Sequence, residues 1–316
     1  MLSFFPIFYS DELLYSALAR YHIRSGNKSF RQTDLELFGY SSQQVSKITL
    51  TNNLNYLVKN LSFFYRQTFD VLLQNHTLYP FYATFLTPQE AWLLKDSMKK
   101  KLSGSILEVA KVATNSTGDS RKFLKFCPTC LKEDEEKYGE PYWHRLHQIP
   151  GVLVCSEHSV PLLDSSIPIE SKATQYHSAS LENCDISISV IHYTDSTLEK
   201  LLNLVKDIEW LQNRKIEFKG LAWLRKKYQS CLISQGYISL LPGNKIVFDE
   251  QVFFDRIFDF YGKDFLDAID LNLCTNRGKY FKYCLLGCDI NPVIDRVTHI
   301  LLVKFITNNF IEFFRS

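Results

Sequence analysis

Two short pairs of metal-binding side chains constrain this chain more than anything else in it. Cys127-Pro-Thr-Cys130 is followed, after 24 intervening residues, by Cys155-Ser-Glu-His158. A zinc ion takes four soft or borderline donors in a tetrahedron, and two tight turns that each present two donors meet that geometry with little strain. Cys127, Cys130, Cys155 and His158 would fill all four positions, so the ion would hold structure rather than activate a water. The surrounding segment, Lys122 to Asp164, has no sustained helical period and too few periodic apolar residues to fold on its own core; it needs the ion instead. The alternative, a Cys127–Cys130 redox pair, wants a thioredoxin-like strand–helix alternation that is missing here. His144 and His147, beside Trp143, read as packing and hydrogen-bonding residues rather than ligands. Cys274, Cys284 and Cys288, which invite a second site with His299, are irregularly spaced and read as buried thiols.

Composition narrows the class. The 316 residues allow two or three domains. With 46% hydrophobic and 22% charged residues, Gly 12 and Pro 10, collagen-like, low-complexity and wholly disordered chains are excluded. Lys plus Arg at 36 against Asp plus Glu at 34 leave a formal charge of +2, so any nucleic-acid surface must be local. The start, MLSFFPIFYS, lacks a basic region and runs into Asp11 and Glu12, unlike a secretory signal. Ile300 to Ile306 is too short and polar for a membrane span of ~20 residues. A soluble, cytoplasmic protein in a reducing compartment is expected, its eight cysteines being ligands and buried thiols.

The fold class expected is mainly α. A helical N-terminal domain covers 1–115, a zinc-binding, ribbon-like module 121–164, a connector 165–195, and a helical domain 196–316. Ser10 is expected to cap a first helix with Asp11 and Glu12 in its first turn, ended by Gly26. Thr87-Pro88-Gln89-Glu90 and Ser196-Thr197-Leu198-Glu199 have capping-box spacing. Ile186, Ile188 and Val190 alternate as a strand would. A helix from Leu221 to Ser234, a hairpin turning at Pro242-Gly243-Asn244 and a helix capped by Asp249 are compatible with a winged helix-turn-helix. Asn291-Pro292 opens a last apolar helix towards Phe314.

Basic clusters lie at Lys95 with Lys99 to Lys101, at Arg121, Lys122 and Lys125, and at Arg225, Lys226 and Lys227. Each cation could neutralise a phosphate and release a counterion; the plainer reading is a solvated helix face balanced by acidic runs such as Glu133 to Glu136. Arg225 to Lys227 carry the most weight, being inside the helix–hairpin–helix. Phe4, Phe5, Phe8 and Tyr9 crowd the N-terminus and belong either to an interface or to the core; a docking surface for a partner is the expectation carried forward. There is no glycine-rich phosphate loop, nucleophile elbow or His-Glu-x-x-His, which favours a binding protein over an enzyme.

Phe126-Cys-Pro-Thr-Cys130, Tyr138-Gly139-Glu140, Tyr142-Trp143-His144-Arg145, His147 and Gly151-Val152 leading to Cys155-Ser-Glu-His158 resemble the zinc module of the TniQ/TnsD target-selection proteins of bacterial transposons. So do Pro6, Tyr9 to Ser16 and Arg20 at the start, and His76-Thr77-Leu78-Tyr79-Pro80 to Phe85. The resemblance implies a non-catalytic adaptor that marks an insertion site and recruits an AAA+ ATPase regulator, with one structural zinc on Cys127, Cys130, Cys155 and His158. It also implies two modes, direct reading of target DNA and tethering to an RNA-guided CRISPR effector (Cascade), the length favouring the shorter, tethered form or a truncation of the longer. A homodimer and association with the nucleoid during transposition are compatible with it. The segment Tyr280 to Pro292, basic in DNA-reading members, offers only Lys282 here. A zinc-dependent enzyme is the distant alternative.

Overall fold

The computed structural model describes residues 2–41, 48–61, 67–101, 104–112, 122–169, 175–187, 191–213, 219–241, 245–269, 285, 294–307 and 309–315. Arg121, Ile188, Val190, the Pro242-Gly243-Asn244 turn, Cys274, Cys284, Cys288, Lys282 and Asn291-Pro292 lie outside these. The described residues are mainly helical.

The N-terminal part is a set of short helices: α1 (Leu14–Ser25), α2 (Phe30–Phe38), α3 (Leu54–Asn60), α4 (Phe69–His76), α5 (Tyr79–Ala83), α6 (Pro88–Lys99) and α7 (Ile106–Val109). α1 buries Leu14, Ala17, Leu18 and Tyr21 and stops at Gly26, whose φ of 69° is left-handed, as expected of a helix-ending glycine. Its start corrects the sequence reading. Ser10 does not cap it; the N-cap is Leu13, with no side-chain cap, and Asp11 and Glu12 precede the helix. Their carboxylates are taken by distant partners, Glu12 by Arg20 and Asp11 by Arg145 Nε at 3.0 Å and the Leu146 N–H at 2.9 Å. Several long-range charge-assisted bonds outweigh the ~1 kcal/mol of a local cap. At α6 the capping box forms as read: Glu90 N–H donates to Thr87 Oγ1, and Thr87 N–H donates to Glu90 Oε2.

The N-terminal aromatics each pack against another ring or the core of the chain. Phe5 is buried, Phe4 stacks on Tyr21, Phe8 stacks on His76 at 4.0 Å, and Tyr9 stacks on Tyr138 at 4.2 Å. In this segment Ile7 is the large apolar side chain left exposed, while Phe4, Phe8 and Tyr9 are half-buried.

In the segment bearing the cysteine pairs, β1 (Phe123–Phe126) pairs antiparallel with β2 (Leu163–Pro168), and α8 (Pro128–Tyr138) leaves β1 directly. This helix was not expected. It buries only Cys130, Leu131 and Asp134, so its acidic sequence carries no apolar stripe to read. The N-terminal link docks on the module by main-chain bonds, Leu13 N–H to Trp143 O at 2.9 Å and Arg145 N–H to Asp11 O at 2.7 Å.

The C-terminal part runs α9 (Asp195–Asn213), α10 (Gly220–Ser234), β3 (Ile238–Leu241), β4 (Lys245–Phe248), α11 (Glu250–Tyr261), α12 (Lys263–Ala268), α13 (Arg296–Thr307) and α14 (Phe310–Arg315). β3 and β4 form an antiparallel hairpin, and Asp249 caps α11 through the Val252 N–H as expected. Two details differ from the sequence reading. The cap of α9 is Thr194, whose Oγ1 accepts from Thr197 N–H, rather than Ser196. The last apolar run is broken into α13 and α14, because Asn309 exchanges bonds with the Glu312 N–H and carboxylate and starts a new helix.

Side chains from all three parts enter one core cluster. Buried Arg296, at the start of α13, donates to the carbonyls of Tyr82, Ala110 and Ile294. Gly151 has φ +85°, and a Cβ there would come within 2.9 Å of Val297. Gly220, at φ +75°, likewise lies against Thr87, the cap of α6, where a Cβ would approach to 2.6 Å. Among the described residues no helix is long and apolar enough to cross a membrane.

Candidate metal centre

Cys127 sits between β1 and α8, as the N-cap of that helix. Its sulfur accepts from the Cys130 N–H at 3.5 Å, so the first helical turn places the second sulfur beside the first. Cys155 and His158 come from a tight turn in which Ser159 N–H donates to Cys155 O and Cys155 N–H donates to Val160 O. Ser159 takes φ 54° to close it. Hairpin and helix start thus face each other with four donors, all within 4.8 Å of one another.

The spacing tests whether an ion fits. Cys130 Sγ and Cys155 Sγ are 3.7 Å apart, and His158 Nδ1 lies 3.6, 3.3 and 3.6 Å from Cys127, Cys130 and Cys155. Bonds of about 2.3 Å to sulfur and about 2.0 Å to nitrogen put the donors of a regular tetrahedron about 3.7 Å (S–S) and about 3.5 Å (S–N) apart. The residues fit a tetrahedral ion. The three sulfurs are buried, and hydrogen bonds from the Cys130 and Cys155 thiols pull the Cys127 thiol pKa down. Its place at a helix N-terminus favours the thiolate further. His158 Nε2 meets Glu133 Oε2 at 3.1 Å, which turns Nδ1 towards the sulfurs.

His144 and His147 follow the packing role. His144 Nε2 bonds Asp134 Oδ2 at 2.8 Å, and its ring lies between Tyr142 and His147. His144, His147 and Cys130 do form a second group of possible donors, but it shares Cys130 with the first.

Several residues that organise the site have no local signal. Gln148 clamps β1, accepting from Lys125 N–H and donating to Lys125 O. Arg20, 2% exposed, forks onto the fully buried Glu12 at 3.0 and 2.8 Å, reaches Glu140 at 2.6 Å and the Ile7 carbonyl at 2.7 Å, and lies 4.1 Å from the Tyr9 ring centroid. Glu140 directly follows Gly139, the αL cap of α8, so this ion cluster bolts α1 to the module. Arg20 and Glu140 were legible only through the family resemblance.

The basic residues are scattered. Lys122 is exposed. Lys125 is paired with Asp164 at 2.7 Å, Lys95 with Asp70 and Lys100 with Asp96. On α10, Lys226 is exposed and Arg225 half-buried. Lys227 donates to the Phe313 carbonyl at 2.8 Å and lies over Trp223 and Phe313; burial pushes its pKa down.

The fold and the site first define a class: a helical protein in which a module bearing a Cys3His cluster able to hold a metal ion, strand–helix on one side and turn on the other, is wedged between two helical parts. A sequence model of the TniQ family matches residues 3–162, just over half of the chain and the whole of that module up to β2. The chain belongs to the TniQ family. It is also 29% identical over 154 residues to the Transposon Tn7 transposition protein TnsD of Escherichia coli, a stretch that is 49% of this chain and 30% of that relative. The match spans less than a third of the relative's own length.

Proposed function

We propose that the chain is a non-catalytic target-site selector of a Tn7-like transposon, which binds target DNA and recruits an AAA+ ATPase regulator. The observation that carries this reading is the TniQ match over residues 3–162, which coincides with the Cys3His cluster. In this reading Cys127, Cys130, Cys155 and His158 hold one structural zinc. The ion would supply no reaction chemistry; it would fix the turn carrying Cys155 and His158 against α8, and with it the surfaces built on the module. The α10–hairpin–α11 unit serves as the helix-turn-helix, with Arg225 and Lys226 towards phosphate.

A second reading has support of its own. Lys125 and Lys227 are engaged within the chain, which leaves fewer free cations in these two clusters, among the described residues, for a protein that finds DNA unaided. Tethering to an RNA-guided CRISPR effector, with pairing by the guide reading the sequence, suits such a chain. Retention of the ATPase separates the readings. With ATP, the protein on immobilised target DNA is expected to hold the ATPase; if the second reading applies, retention needs the effector complex as well. ATPase retained under neither condition would overturn both.

A further inference from the structure

A cavity of about 630 Å³ opens beside the metal centre, where the N-terminal link, the metal-binding module and the end of α9 meet. It is of the size that small ligands and inserted side chains occupy. Five carboxylates line it against two cations, Lys137 and Arg145. Three of the five are committed: Asp11 to Arg145, Asp134 to His144 and Glu133 to His158. Glu157 and Glu209 have no ion-pair partner among the described residues. Glu209 is raised above the ordinary carboxylate range by burial first, and then by the charges of Asp11 and Glu157. Among the described residues the lining therefore carries more carboxylates than cations, although Arg145 offsets part of the repulsion felt by Glu209.

A second observation is independent of the charges. Gln212, on α9, is 5% exposed and lines the cavity, yet neither its Nε2 nor its Oε1 has a hydrogen-bond partner among the described residues. The same holds for Nδ1 of His147, 4% exposed and also in the lining. A buried carboxamide without partners is destabilising, and a bound polar group removes that cost. The carboxylates call for a cation, the Gln212 carbonyl and His147 nitrogen for N–H donors, and the Gln212 amide for a carbonyl.

We infer that this cavity receives an arginine side chain of a partner polypeptide. A guanidinium brings a delocalised charge and five N–H donors in a plane, enough for two carboxylates and a carboxamide at once. The peptide carbonyl that accompanies it suits the Gln212 amide. Phosphate is excluded by the same carboxylates, so the cavity faces a protein and not DNA. The inference goes beyond the target-selection reading and does not depend on it.

Titration calorimetry of the full chain with the tripeptide Gly-Arg-Gly, its neutral isostere Gly-citrulline-Gly and spermidine tests it. Gly-Arg-Gly is expected to bind at least tenfold tighter than the citrulline peptide and tighter than spermidine. Glu209→Gln should cut the Arg-over-citrulline ratio at least threefold with an unchanged melting temperature. Gln212→Leu should weaken Gly-Arg-Gly while raising the melting temperature, because it removes an unpartnered buried amide. Equal binding of the arginine and citrulline peptides, no binding of either, spermidine binding as tightly as Gly-Arg-Gly, or a ratio untouched by Glu209→Gln would each overturn the proposal. Since Glu209→Gln changes no volume, it decides the matter even if Gln212→Leu fails to fold.

Discussion

Arg20 and Glu12 form an ion pair that is buried at both ends. Both are withdrawn from water, and burial lifts the Glu12 pKa even against the attraction of Arg20. Such a pair is expensive to form and more expensive to break, because a removed partner leaves an uncompensated charge behind. Arg20→Met should therefore cost about 3–5 kcal/mol in urea unfolding. Pairing it with Glu12→Gln should recover part of that loss, with a coupling of about 1–3 kcal/mol. A single-variant cost below about 1 kcal/mol, or strict additivity, would mean that water or another cation already solvates Glu12. At this scale the clustering of Cys127, Cys130, Cys155 and His158 was legible in the sequence, because each pair lies within one turn and its spacing is its geometry. Arg20 and Glu12, eight apart across a helix start, and Glu140, 120 residues further on, meet only through tertiary packing. No local spacing encodes that.

At the scale of elements, what could be read was whatever the backbone settles locally. The Thr87 capping box, the Gly26 stop and the Asp249 cap needed no partner from elsewhere. The start of α1 was missed because bonds to residues outside its first turn outvoted local signals, Asp11 and Glu12 being drawn to Arg145 and Arg20, and α8 because its mostly polar sequence carries no apolar stripe. The same physics revises what α10 can offer to DNA. Arg225, Lys226 and Lys227 read as three phosphate contacts, but the Lys227 ammonium is turned to the Phe313 carbonyl and the Trp223 ring. Replacing Arg225 and Lys226 together by Ala should lower DNA affinity on all sequences alike and reduce the salt slope by about two phosphates' worth. Lys227→Ala should leave the slope unchanged and lower the melting temperature instead. A slope change of equal size from Lys227→Ala would return it to the nucleic-acid surface.

At the scale of the whole molecule, the three parts meet through buried polar groups as well as apolar ones. His299 on α13 lies under the Phe85 ring and bonds Tyr228 of α10 through Nδ1 at 3.0 Å. Burial first, then the charges of Arg296 and Arg225, push its pKa down to about 3, so it is neutral in the folded protein. In the unfolded chain a histidine takes its proton near pH 6.5. The unfolded state thus binds more protons throughout the interval from about 6.5 down to about 3, and stability falls as pH is lowered across it. Glu90 and Glu140 act in the same direction lower down. Burial raises both, but hydrogen bonds and charge from Lys111 with Thr87 on Glu90, and from Arg20, Tyr9 and Arg24 on Glu140, together hold them below the ordinary carboxylate value, so their contribution is complete above about 4.5 and lost on further acidification. His299→Gln should flatten the fall in melting temperature between pH 6.5 and 4.5 while leaving the lower, carboxylate-driven loss in place. An unaltered slope in that upper window would assign it to other groups. None of this was visible in sequence, where His299 stood only as a partner for cysteines.

The account turns on the Cys3His cluster being a closed, structural zinc site, and absorption fine structure at the zinc edge of the purified protein measures that most directly. One zinc per chain is expected, with three sulfur neighbours at about 2.3 Å, one nitrogen at about 2.0 Å and no oxygen in the first shell. A shell containing water, a two-sulfur, two-nitrogen shell drawn from His144 or His147, or protein free of zinc that melts no lower than zinc-loaded protein would contradict it.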